Sequence, residues 1–89
     1  MEIQAKKSLG QNFLKSKTAL TAIVKAGEVN SSDIILEIGP GKGALTEKIL
    51  ETGAKVIAIE KDDRLIAPLN EKFSKEIEIN NLSLFMAIF

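Results

Sequence analysis

Apolar residues fall into two patterns along this chain, short unbroken runs and stripes at helical spacing, and the two patterns take turns. From Ser16, a suitable N-cap, Ala19, Leu20, Ile23 and Val24 repeat at helical spacing as far as Gly27, which suits a residue just past a helix end. A polar connector, Val29 to Asp33, leads into Ile34–Ile38, a branched apolar run that predicts a buried parallel strand. Glycines at alternate positions, Gly39, Gly41 and Gly43, break that run at once. Beyond them Ala44, Leu45, Ile49 and Leu50 predict a second helix that stops at Gly53. Lys55–Ile59, closed by Glu60, predicts a second strand. Asp62 or Asp63 then caps a third helix with Leu65, Ile66, Leu69 and Phe73 on one face, and Pro68 inside it removes one backbone bond. Residues 76–79, E-I-E-I, alternate as a third strand would. Strand, helix, strand in that order implies a crossover and parallel pairing. The expectation is an α/β unit of about three parallel strands with flanking helices.

The two ends fit this pattern less well. Residues 1–15 show no clean period, and Leu82 to Phe89 has seven apolar residues in eight with no charge. That apolar stretch reads as an atypical tail, a terminated or out-of-frame continuation that invites self-association, so a homo-oligomer is expected.

Composition changes the picture only at the margins. The 89 residues allow one small domain, and 45% hydrophobic with 27% charged residues is ordinary for a folded globular chain. Net charge is zero but unevenly spread: residues 1–26 hold five lysines against Glu2 alone, hence +4, and the remainder carries −4. The lysines make residues 1–15 a basic N-terminal arm, either a solvated end or one that faces phosphates. The absence of cysteine and histidine excludes disulfides, Cys/His metal sites and catalysis by either side chain, and no metal site is expected. No apolar run approaches the roughly 18 residues of a membrane span, which leaves a cytoplasmic location as the default.

The candidate chemistry sits at the glycines. Lacking a Cβ, they allow positive φ and close approach of backbone to a ligand, and the following helix start offers free N–H groups. Glu60 lies 21 positions after Gly39 at the end of the second strand, the place of an acidic residue that accepts hydrogen bonds from ribose hydroxyls. A Walker-type phosphate loop is excluded, because Lys42 stands between glycines with Gly43 after it. The dinucleotide fingerprint wants its third glycine where Ala44 stands, so NAD binding is the second choice. Glu37, a carboxylate beside the turn, would repel a pyrophosphate but suits a cationic ligand. That favours S-adenosylmethionine over NAD or ATP.

L-G-Q-N-F-L (Leu9–Leu14), L-E-I-G-P-G-K-G-A-L-T (Leu36–Thr46) and V-I-A-I-E-K-D (Val56–Asp62) closely resemble, in this order and spacing, the N-terminal part of the ribosomal RNA adenine dimethyltransferases. The resemblance covers about residues 5–80. It implies a partial Rossmann-like, S-adenosylmethionine-dependent methyltransferase fold and a parent enzyme that methylates N6 of adenines in small-subunit rRNA, with the small ribosomal subunit as partner. By position it implies that Asn12 and Leu14 touch the methionine end of the cofactor, with Gln11 and Phe13 shaping the cavity. Gly39 and its turn, with Gly41 and Gly43, would pass beneath the cofactor, and Glu60 would hold the ribose; Glu37 and Lys61 are further candidate cofactor-binding residues. Two family features are absent: an Asp after the third strand and an Asn-Leu-Pro-Tyr/Phe motif that grips the target base, since Asn81-Leu82 is followed by Ser83. The expectation is thus the cofactor half of such an enzyme, inactive alone. The rival is a non-enzymatic binding or assembly module.

Overall fold

A computed structural model describes residues 16–88, and the predicted order of elements holds through most of them. Helix α1 (Lys17–Ala26) starts where the Ser16 hydroxyl accepts the Ala19 N–H at 3.1 Å, which satisfies one free donor of the first turn. Its end differs in one detail. Gly27 keeps a right-handed φ of −79°, and the left-handed residue is Glu28, at φ 54°. The N–H groups of Glu28 and Val29 bond back to the Lys25 and Val24 carbonyls, a Schellman ending whose left-handed position falls one residue past the glycine.

Strand β1 (Ile34–Ile38), helix α2 (Ala44–Glu51), strand β2 (Lys55–Glu60) and helix α3 (Asp63–Lys72) follow in the predicted order, but β1, expected to be buried, alternates exposed and half-buried residues because helices cover one side of it only. Asp62 is the α3 cap, accepting the Arg64 N–H at 3.0 Å. Pro68 lies inside α3 and leaves the Arg64 carbonyl without its usual helical donor.

The third strand is not where alternation put it. Residues Ser74–Glu78 form a short helix, α4, the chain turns at Asn80 with φ 64°, and strand β3 is Leu82–Met86. Four alternating residues also fit one helical turn, and here that turn lays Ile77 against the core and leaves Ile79 63% exposed. Most of the stretch expected to be an atypical apolar tail is therefore sheet, and Leu82 is only 1% exposed. The strand's apolar side chains on the helix side, Leu82 and Leu84, pack on the core, while Phe85 on the other side stays exposed.

Both strand pairs are parallel, in the order β1-β2-β3. Ile35 lies opposite Val56 and Val56 opposite Leu82; Glu37 lies opposite Ala58 and Ala58 opposite Leu84. Side chains alternate between faces, so these residues share one side of the sheet. On that side Val56, Ala58 and Leu82 join Ile49 of α2 with Leu69 and Phe73 of the α3 end to make the core. The opposite side carries Ile34, Leu36, Ile38, Ile57 and Phe85, all exposed. No helix among the described residues is long and apolar enough to cross a membrane.

Candidate functional site: the glycine turn

At the end of β1 the backbone reverses through residues 39–43 before α2 begins. Gly39 donates to the Ile59 carbonyl at 2.8 Å, which holds the turn's start against β2, and Gly43 donates to the Pro40 carbonyl at 2.9 Å, which closes the turn. The three glycines all have positive φ, at 71°, 60° and 87°. For L-residues that conformation carries a steric penalty of roughly 1–2 kcal/mol, so glycine is the natural choice at each.

Their surroundings differ. Among the described residues, a Cβ on Gly39 or Gly41 would meet nothing within 4 Å, so no described group covers the backbone there. A Cβ on Gly43 would come within 2.5 Å of the Phe73 ring. Gly43 is therefore a packing position, required by an aromatic side chain of the core, whereas Gly39 and Gly41 form a bare ledge on which a ligand can lie.

The ledge is held from outside at three consecutive residues. Glu60 Oε1 accepts the Gly41 N–H at 3.1 Å, Lys72 Nζ donates to the Lys42 carbonyl at 3.1 Å, and Phe73 lies under Gly43. Lys72 also meets Glu47 at 3.5 Å and stands 5.3 Å from the Phe73 ring centre. This surface pair contributes little by itself, on the order of 0–1 kcal/mol, but it ties the end of α3 to the turn.

Glu60 does more than wait at a strand end. It is 6% exposed, and its other oxygen, Oε2, accepts the Asp62 N–H at 2.9 Å. One carboxylate thus joins the β1–α2 turn to the β2–α3 connection. Each oxygen keeps a further lone pair, so both can still accept from a ligand hydroxyl.

Glu37 points from β1 towards the helix-covered side, half-buried, where the Thr46 hydroxyl donates to its Oε1. Burial pushes the Glu37 carboxyl above its ordinary range, and the Thr46 hydrogen bond works against that rise. Lys61 is exposed beside Glu60. Glu37, Gly39, Gly41, Gly43 and Glu60 are thus brought together at one end of the sheet. Asn12 and Leu14, with Gln11 and Phe13, lie outside the described residues.

Sequence reasoning passed over Thr46, Lys72 and Phe73. Phe73 is legible along the chain only as a core residue, and nothing in a linear pattern joins it to a glycine 30 positions earlier. Thr46 had a signal: a hydroxyl in the first turn after the glycines, following an acidic residue at the end of a strand.

The hollow of about 430 Å³ between α1 and α2 is lined by Lys25, Glu28, Lys48 and Glu51 among others, and shares no residue with the turn. A cleft near such a turn remains the expected place for a nucleotide-like ligand in an α/β sheet, because there the loops leave the strands' carboxyl ends. The fit to a nucleoside ligand with a cationic end rests on the bare ledge and the two acidic side chains at its sides.

Comparisons with known proteins bear on the family and the fold. The family model for ribosomal RNA adenine dimethylase matches residues 2–84. A ribosomal RNA small subunit methyltransferase A from Dehalococcoides mccartyi is 48% identical over 71 residues, which is 80% of this chain and 24% of that protein. The chain therefore spans about a quarter of the length of the curated relatives it matches. Among solved structures, a dimethyladenosine transferase from Plasmodium falciparum superposes with a TM-score of 0.70 at 40% identity, covering 82% of this chain and 26% of that one. An RNA methyltransferase from Salinibacter ruber, solved with S-adenosyl-L-homocysteine, superposes at 0.72 over 82% of this chain and 48% of its own. At 18% identity it speaks for the fold alone.

Proposed function

This chain belongs to the ribosomal RNA adenine dimethylase family, and on that premise we propose that its 89 residues form the S-adenosylmethionine-binding part of an rRNA adenine N6-dimethyltransferase. Its fold is the Rossmann-like one of S-adenosylmethionine-dependent methyltransferases, in part: three parallel strands with flanking helices. The observation that carries the reading is the ledge of Gly39 and Gly41, covered by no described residue and braced from the side by Glu60.

In this reading the cofactor supplies an electrophilic methyl group on a sulfonium. The chain's own residues bind and orient. Gly39 and Gly41 let the nucleoside approach the backbone, Glu60 accepts the ribose hydroxyls through its remaining lone pairs, and Glu37 offers negative charge to the cationic methionine end. Asn12 and Leu14 complete that end, and Lys61 flanks the ribose side. The substrate is small-subunit rRNA, met in the cytoplasm on the small ribosomal subunit, and the groups that grip the target adenine belong to the part of the family's length outside these residues. The 89 residues alone bind cofactor without transferring methyl.

Calorimetric titration with S-adenosylmethionine and with NAD tests the binding half. Saturable binding of the first and none of the second is expected; preference for NAD overturns the reading. Incubation with methyl-labelled cofactor and small-subunit rRNA tests the other half, and label transferred by the 89 residues alone would refute it.

A rival reading has one observation in its favour, the exposed apolar side of the sheet with Ile34, Leu36 and Ile38 in a row. Such a surface favours self-association, and a homo-oligomer is part of the proposal for the isolated chain. Sedimentation across a concentration range decides it: a monomer at every concentration removes it.

A further inference from the structure

Threonine is an unexpected occupant of position 46. It is polar, lies in the first turn of α2, and is only 1% exposed. A buried hydroxyl needs a partner, and here the partner is Oε1 of Glu37, so a single hydrogen bond joins the end of β1 to the helix beyond the glycines. Among the described residues, no group donates to Oε2 of Glu37, and no buried side-chain oxygen is left unsatisfied. The two carboxylates flanking the ledge are therefore held differently. Glu60 has both oxygens on backbone N–H groups; Glu37 has one oxygen held by Thr46 and one without a donor among the described residues.

We propose that Thr46 is the positioning residue for Glu37: its hydroxyl pins Oε1 and so presents the other carboxylate oxygen to the cationic methionine end of the cofactor. The inference rests on the cofactor reading above. A hydroxyl suits the task, because it donates one directed hydrogen bond without bringing a charge. A lysine or arginine in its place would hold the carboxylate as firmly and cancel its attraction for a sulfonium. Thr46 also counters the effect of burial, which drives Glu37 towards its uncharged form.

The test separates this role from simple core filling. The 89-residue chain and its Thr46→Val, Thr46→Ser and Glu37→Gln variants are titrated with S-adenosylmethionine and with adenosine, which lacks the cationic end, after circular dichroism has established folding. Valine keeps the shape and loses the donor; serine keeps the donor. Thr46→Val should weaken S-adenosylmethionine binding about tenfold or more, the effect of losing a hydrogen bond to a charged group, and leave adenosine affinity within about twofold. Thr46→Ser should restore most of that loss. On a Glu37→Gln background, Thr46→Val should add nothing. Should Thr46→Val not fold, Thr46→Ala carries the same expectations.

Unchanged S-adenosylmethionine affinity in Thr46→Val overturns the proposal. So does an equal loss for both ligands, a serine variant as weak as the valine one, or a full additional loss on the Glu37→Gln background. If the parent chain itself does not bind S-adenosylmethionine, the cofactor reading falls, and this inference with it.

Discussion

Gly41 and Gly43 stand two residues apart in one turn, both left-handed at φ 60° and 87°, yet what faces them is opposite. No described residue lies within 4 Å of a Cβ on Gly41, whose N–H is fastened to Glu60; against Gly43 stands the ring of Phe73. One glycine is bare so that something can arrive, the other because something already has. A glycine motif read along the chain treats the two alike, since both need the same backbone conformation. Their side chains would fail for different reasons, and substitutions can tell those reasons apart.

The largest expected effect is at Gly43. Valine there combines left-handed strain with atoms forced into the Phe73 ring, and together these should cost about 3 kcal/mol or more of stability. That is a large part of what so small a domain has. Urea unfolding measures it, and Phe73→Leu in the same chain should recover part of the loss. A Gly43→Val protein as stable as its parent would erase the difference between the two glycines.

Glu60→Ala comes next. It removes the acceptor for Gly41 and Asp62 and the proposed ribose acceptor, so S-adenosylmethionine affinity should fall by about 1.5–3 kcal/mol, with a loss of stability in parallel. Equal affinity in parent and variant, measured by titration, would leave Glu60 as a brace alone.

Gly41→Val should cost less stability, about 1–2 kcal/mol of backbone strain with no clash, and should keep most of the helical circular dichroism. Cofactor binding should nevertheless disappear, because the side chain fills the ledge. Binding that survives would mean the ledge is not where the ligand lies.

The smallest change isolates the backbone component common to both glycines. Glu28 closes α1 at φ 54° with a full side chain, where most Schellman endings place glycine. Glu28→Gly should therefore raise stability by about 0.5–1 kcal/mol, read as a higher unfolding midpoint. The Gly41→Val loss corrected by that amount is the strain peculiar to the turn.

The third strand differs from the first in its surroundings along the chain. Ile34–Ile38 and Leu82–Met86 are both short apolar runs in a parallel sheet, but only the run at 34–38 is followed by glycines and a helical stripe. Without that punctuation the run at 82–86 has the pattern of a tail, and the alternating E-I-E-I before it has the pattern of a strand. Alternation over four residues is too short to outweigh the helical turn that lays Ile77, half-buried, against the core.

The sequence by itself determined the order of strand, turn, helix and strand, the left-handed glycine turn, and the acidic residues at its two sides. These follow from properties local to a few residues: branching at Cβ, the missing Cβ of glycine, and periodicity over one or two turns. The tertiary structure alone decided which glycine is free and which is packed, that Glu60 is tied to both connections, and that Thr46 holds Glu37. The longest of these reach far along the chain, as Phe73 lies against Gly43 and Lys72 reaches the Lys42 carbonyl, each from 30 residues away. Sequence spacing cannot encode such a contact directly, because the approach of two distant segments is set by how the whole sheet buries its helices.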